Sequence, residues 1–516
     1  MEKNNLHKRV LNGTLIILFV SVLAKFTSFI SESILAAYLG TSEISDAYYM
    51  VSSVQNVIYP MISVGIWKVF FPLYKAKQTK NDLEGANALA NKSLTLFTMI
   101  SLVVCVLLAV FSKQVVSLIA PGFSDANKEL CAELVRISSP MYIFIVAAAI
   151  FATMLQSHDR FFGSQIREVV SHIPTIIAAV FFYKRFGIEA MAYALILCGV
   201  IRLLVELPFV NWGYKYKPDF RFKSPELSLL FRRIPSALLS TGVGRINTII
   251  DKMMASGLAA GTISALNYGA KLKNVFGGLV SDALATATYP QMLELITNDK
   301  KDQLNKLVVR VLSIFATFIF PATLACILFS RELITVVYAR GAFDAHSVDL
   351  TALIFAFYCI CLMSSASNVV LNNLFYGYGD TKKPLLFSIV NLLLNIVFNF
   401  VFIHYLGAAG LALATSVSSV ICCILRMIWV RQYVVLDYKS LLRMFGKLLI
   451  AAAIACFIPW FVVNGLFENA YLKLAVAAVV GVVLYLVMLR IFRIDTLNEV
   501  VGMIKDKFTR KKEGRA

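Results

Sequence analysis

Fourteen stretches of this chain are long and apolar enough to cross a lipid bilayer, and they leave little else for it to fold into. A transmembrane helix needs about 20 mainly apolar residues, and such runs lie near 11–39, 45–74, 88–112, 130–156, 165–183, 188–213, 228–257, 263–293, 308–330, 347–376, 384–404, 408–430, 444–463 and 471–491. The apolar set AVILMFWYC supplies 59% of the residues and charged residues only 15%. A soluble domain carries about 25% charged residues, and too little polar surface would remain here to cover an aqueous fold. The expected fold is an all-α integral membrane protein of fourteen spans. Lys25 and Glu32 interrupt the first run, which is also too long for a cleavable signal.

The net charge of +19 would suggest nucleic acid in a soluble protein. Placed on the spans it becomes topology. With the N-terminus inside, the inward segments carry 26 of the 49 Lys and Arg, the outward loops 6 and the spans 17. This is the positive-inside pattern, and it predicts both termini in the cytoplasm and no nucleic-acid partner. The basic tail Lys505–Arg515 is placed on anionic lipid headgroups or in solvent. No nucleotide loop, serine-hydrolase elbow or zinc-protease motif is present. The nine cysteines read as buried thiols, the five histidines lack ligand spacing, and no enzyme activity or bound metal is expected.

The chain matches itself at a shift near 220 residues. Glu32 meets Asp251 and Ser45 meets Ser264 at offset 219; Asn56-Val57 meets Asn274-Val275 and Pro72 meets Pro290 at 218; Phe123 meets Phe343 and Gly187 meets Gly407 at 220. Two six-span lobes follow, 1–220 and 221–440 in parallel repeat, then 441–516 with two additional spans and the tail. Parallel repeats place substrate between lobes that rock for alternating access.

Ionisable residues at membrane depth are costly, about 2.5–3.5 kcal/mol each, and mark pathways or partners. Lys25 and Glu32 are two turns apart on one helix face, Asp46 opens the second span, and Arg245, Asp251, Lys252, Lys271, Lys273 and Asp282 fall in the seventh and eighth. They predict a wet, net cationic cavity suited to a diphosphate, with Lys252 and Lys273 expected to snorkel to an interface. Arg136, Arg202 and Glu206 are expected to pair with neighbours. Asn391, Asn395 and Asn399 form one stripe on the eleventh span; with Asp251 and Thr415 they would make a cation site, and the competing expectation is interhelical hydrogen bonding.

Several motifs, in order, resemble the MurJ-type lipid II flippases of the multidrug/oligosaccharidyl-lipid/polysaccharide exporter superfamily. They are Ala120-Pro121-Gly122-Phe123, Ile246-Asn247-Thr248-Ile249-Ile250-Asp251, Ser264-Ala265-Leu266-Asn267-Tyr268, Arg340-Gly341-Ala342-Phe343, Gly379-Asp380-Thr381 and Gly410 to Ser416. The resemblance implies translocation of lipid II from inner to outer leaflet of the bacterial cytoplasmic membrane, driven by the membrane potential or a monovalent cation. Lys25, Glu32, Asp46, Arg245, Lys271 and Asn274 then become substrate-site candidates, and Asp251, Asn395, Asn399 and Thr415 the cation-site candidates. Ser31, Ile58, Tyr59, Pro60 and Asn274 depart from the family pattern, which has charged residues there. The partners implied are a lipid-linked anionic saccharide, membrane lipids and cell-wall synthesis proteins, around a functional monomer. The competing readings are a flippase for another lipid-linked polysaccharide unit, a cation-coupled multidrug exporter, and a non-transporting envelope scaffold.

Overall fold

A computed structural model describes residues 2–494, except for the side chains of 2–15, 18, 231, 233–241, 243–244 and 279–287. Lys3, Lys8, Arg9, Asp282 and the basic tail therefore lie outside the described residues or side chains. Within them the regular elements are all helices. The first repeat folds as α1 (Glu2–Leu39), α2 (Glu43–Thr79), α3 (Leu83–Val110), α4 (Ser112–Ile119), α5 (Asp125–Ser138), α6 (Met141–Ser157), α7 (Phe161–Val170), α8 (Ile173–Ile177), α9 (Tyr183–Phe186) and α10 (Glu189–Glu206). The second follows as α11 (Pro225–Ala255), α12 (Thr262–Thr297), α13 (Lys301–Leu328), α14 (Ser330–Tyr338), α15 (Ala345–Cys359), α16 (Leu362–Gly377), α17 (Lys382–Leu406) and α18 (Ala408–Val430), and α19 (Tyr438–Leu466) and α20 (Ala470–Ile491) complete the chain.

Nine helices in the described residues, and the continuous run Phe161–Phe186 that contains α7 to α9, are apolar and long enough to span, making ten, or twelve when each of two bent pairs counts once. The other two expected spans fall on α11 and α12, of 31 and 36 residues. At about 1.5 Å per residue both exceed the hydrocarbon thickness. Their charges, among them Arg245, Asp251, Lys252, Lys271 and Lys273, keep them from reading as simple apolar spans.

The duplication is visible in the breaks. The bend between α5 and α6 is 45°, and that between α15 and α16, the same place one repeat later, is 41°. Gly187 and Gly407, paired by the offset of 220, both join the fifth span of a repeat to the sixth with positive φ, +63° and +54°. No atom lies near where a Cβ would stand at either, so the backbone conformation alone selects glycine. Local caps fix the helix starts: Ser42 and Ser45 exchange side chain and backbone at α2, and Asp82 accepts from Gly85 N at 2.8 Å at α3.

By contacts the chain forms two compact units, residues 1–264 with 340–344, and 265–339 with 345–516. Helix α11, first of the second repeat, thus packs with the first repeat, running along α2. The core of the first unit gathers Phe70, Tyr74, Leu89, Ile150 and Met154. In the second unit α19 and α20 pack on each other and on α13 through Ala316, Leu448, Ala452, Tyr485 and Leu489.

Candidate functional site

In the first unit, Lys25 lies on the exposed part of α1 and Glu32, two turns on, is 6% exposed. Arg245 on α11 is exposed and donates to the Asn56 carbonyl at 3.3 Å. Asp251 is buried one turn beyond Asn247, whose amide donates to it at 3.5 Å. Lys252 does not snorkel: it is buried, its ammonium donating to the Tyr49 carbonyl and the Ser53 hydroxyl of α2. Close packing of α2 on α11 supplies those oxygens and makes the interface unnecessary.

Asp46 has a different surrounding from that expected of a ligand-facing acid. It is buried, and its carboxylate accepts from Gly261 N, Ser264 N and Ser264 Oγ, each at 2.8 Å. These donors open α12, so Asp46 caps that helix from across the fold, where the helix dipole favours an anion. Three glycine contacts surround this cap. A Cβ on Gly261 (φ +87°) would stand 2.8 Å from Thr41, and one on Gly341 (φ +60°) would stand 2.2 Å from the Ala37 carbonyl oxygen. Ala342 N donates to that carbonyl at 2.8 Å, while Gly122 N donates to Ser256 Oγ at 3.0 Å. The Ala120–Phe123 and Arg340–Phe343 motifs are thus a pair of clasps, one on the end of α11 and one on the end of α1.

A further cluster joins α2, α7 and α10. Arg202 Nη1 donates to both Glu168 oxygens, at 3.1 and 3.0 Å, and the guanidinium lies 4.3 Å over the Tyr59 ring, while Tyr59 Oη donates to Glu168 at 2.6 Å. Arg167 stands 3.2 Å from Glu206 and 3.3 Å from Glu168. Arg202 and Glu206 do pair with neighbours as the sequence suggests. Their partners Arg167 and Glu168 went unread because they are adjacent, of opposite sign, and near the end of an apolar run. Arg136 also bonds locally, to Ser112 Oγ at 3.3 Å.

In the second unit Lys271 and Lys273 are partly buried and Asn274 is exposed; Lys273 lies 5.9 Å over the Tyr358 ring rather than reaching outward. Asn399 donates to Asn395 at 3.0 Å and Asn395 to Thr415 at 3.2 Å. These side chains bond one another across α17 and α18, the interhelical arrangement, and Asp251 belongs to the other unit. Arg426, also unread in sequence, is buried with its guanidinium on Asn372 (3.2 Å) and Asn368 (3.0 Å) and 5.1 Å over Phe387. An apolar groove of about 520 Å³ runs between α13, α19 and α20, lined by Phe318, Ala322, Ala455, Ala478 and Gly481. Its Tyr485 hydroxyl is spent on the Thr317 carbonyl at 2.7 Å, leaving the wall without a free donor there. Eight of the nine cysteines are buried and all are free.

This helical arrangement is a fold shared with solved transporters of the MOP superfamily. A MATE family multidrug resistance transporter in an inward-facing conformation superposes with a TM-score of 0.66 at 16% identity, over 83% of this chain and 99% of the other. A lipid II flippase MurJ in an inward closed conformation superposes with a TM-score of 0.81 at 22% identity, over 94% of this chain and all of that one. The model of the lipid II flippase MurJ family matches residues 35–489, and the chain belongs to that family. A probable lipid II flippase MurJ of Buchnera aphidicola subsp. Acyrthosiphon pisum is 26% identical over 499 residues, 93% of this chain and 96% of its own length.

Proposed function

We propose that the chain translocates a polyprenyl-diphosphate-linked saccharide, lipid II, from the inner to the outer leaflet of the bacterial cytoplasmic membrane. The observation that carries this reading is the family match across 35–489. Lys25 and Lys271 neutralise diphosphate charge as compact point charges, Arg245 and Asn274 add polar contacts, and Glu32 positions Lys25. The apolar groove at α13, α19 and α20 suits a prenyl chain, since burying each methylene there gains about 0.8 kcal/mol. Asp46 and the two glycine clasps act in gating: releasing the α12 cap and both clasps opens one end of the first unit. The membrane potential or a monovalent cation drives the cycle, with Asp251, Asn395, Asn399 and Thr415 as the candidate cation ligands. The amide orientation at Asn395 turns a donor toward Thr415 and must reverse before these oxygens converge.

The test is complementation of a strain depleted of its lipid II flippase. Wild type restores growth; the Lys25→Ala, Lys271→Ala double variant, expressed to the same level, restores translocation at least tenfold less. Unchanged translocation in the double variant removes the assigned roles, and failure of wild type to complement points to another lipid-linked saccharide.

A further inference from the structure

Glu206 is the most deeply buried acid in the described residues, with 0% exposure, and neither carboxylate oxygen has a hydrogen-bond donor. Its one ionic neighbour is shared with a backbone carbonyl. Arg167 Nη1 donates to the Ala148 carbonyl at 3.0 Å and stands only within ionic distance of Glu206, at 3.2 Å. Arg167 Nε is likewise buried without an aligned acceptor, 3.3 Å from Glu168. Glu168, by contrast, accepts from Arg202 Nη1 on both oxygens and from the Tyr59 hydroxyl. So the cluster holds two cations and two carboxylates, but its hydrogen bonds satisfy only one of the acids. A buried charge without aligned donors leaves its desolvation cost unrecovered. Proton relays are among the roles that intramembrane acids fill.

We infer that Glu206 is a proton-binding carboxyl whose protonation shifts the Arg167–Glu168–Arg202–Tyr59 network that fixes α2 beside Pro60. The proton comes from water by way of Glu168, whose side chain is 34% exposed. An O–H bond forms on Glu206, nothing is oxidised or reduced, and the cluster goes from neutral to a single positive charge. Arg167, released from Glu206, then competes with Arg202 for Glu168, and the Tyr59 hydroxyl loses its acceptor. Tyr59 immediately precedes the proline inside α2, where the helix lacks a backbone hydrogen bond and yields most readily. The other titratable groups facing the cluster are Cys198 on α10 and His172 after α7. Helix α1, which packs on α7, brings Lys25 and Glu32.

The second repeat supports a special role for this position. At the offset of 220, Glu206 corresponds to Arg426 and Ala148 to Asn368. There the buried ion is a permanently charged guanidinium held by two amide oxygens, with no carboxylate among the described residues. One repeat thus carries a titratable group where the other carries a fixed charge.

Infrared difference spectroscopy on the purified full-length protein in nanodiscs, titrated from pH ~5 to ~9, tests the inference independently of which lipid is carried. Wild type is expected to show a protonated-carboxyl C=O band near neutral pH that shifts in heavy water and that Glu206→Gln removes, while Glu32→Gln leaves that component in place. In a background with Trp212, Trp429 and Trp460 replaced by Phe, emission from Trp67, on α2 and hydrogen-bonded to Gln156, is expected to change with the same midpoint and to lose that pH dependence in Glu206→Gln. Absence of any protonated-carboxyl band in wild type overturns the proton site without recourse to a variant. A band that survives in folded Glu206→Gln overturns its assignment, and a band with pH-insensitive Trp67 emission overturns the link to α2.

Discussion

Asp46 shows how a residue's type and its role can separate. An acid at the start of an apolar span is read from sequence as a ligand group, because membrane charges usually are. The fold instead brings three donors of α12's first turn to its carboxylate. Asp46→Asn places an amide N–H against one of those donors, and should lower stability by about 1–3 kcal/mol. It should also raise labelling of a Ser45→Cys thiol, since Ser45 is fully buried in the closed clasp. Thermal unfolding and labelling by a membrane-impermeant reagent read the two effects. Lys252 makes the same point for cations: its alkyl chain could snorkel, but its ammonium is bound by the Tyr49 carbonyl and the Ser53 hydroxyl.

At the scale of elements, the segment linking the repeats behaves as a strap. Sequence offers it only as a polar connection rich in Lys and aromatic residues, yet it is bound at several points. Tyr214 Oη donates to Asn91 at 2.7 Å, Asp219 N to Thr95 at 3.2 Å, and the Trp212 ring stacks on His158 at 3.9 Å. His158 also meets Tyr74 at 3.2 Å and Gln78 at 3.0 Å. Burial, then Lys75 and Arg160, push its pKa below the ordinary histidine value. The strapped state therefore favours neutral His158, and its stabilisation is present above pH ~6.5 and lost as the pH falls through the lowered value. Limited proteolysis of residues 210–224 should accelerate on acidification, and His158→Gln should flatten that dependence. The groove is likewise a property of three packed helices. Ala478→Trp should fill it and slow translocation of a long-chain lipid several-fold in reconstituted vesicles, while leaving a short-chain analogue unaffected.

For the whole molecule, the charge asymmetry of the loops and the even span count predict both termini on the cytoplasmic side. Reporter fusions active only inside the cell should be active at either end; an inactive C-terminal fusion would require an odd number of spans. Bends and left-handed glycines recur about 220 residues apart, where the sequence matches itself, because a helix break or a positive φ is a local requirement that nearby residues meet. The grouping of α11 with the first unit was not legible, since which neighbour a hydrophobic helix chooses depends on surfaces that no periodicity describes.

Apolar runs of span length, the basic bias of alternate loops and the repeat offset settle the membrane class and the helix order, because each rests on local composition or on register along one chain. Tertiary structure alone decides that Asp46 caps a helix more than 200 residues away, that Arg167 and Glu168 complete a four-charge cluster, and that Asn399 donates to Asn395 and Asn395 to Thr415. A buried polar group takes the donors and acceptors that packing brings to it, and that choice is made by distance in space rather than position in sequence.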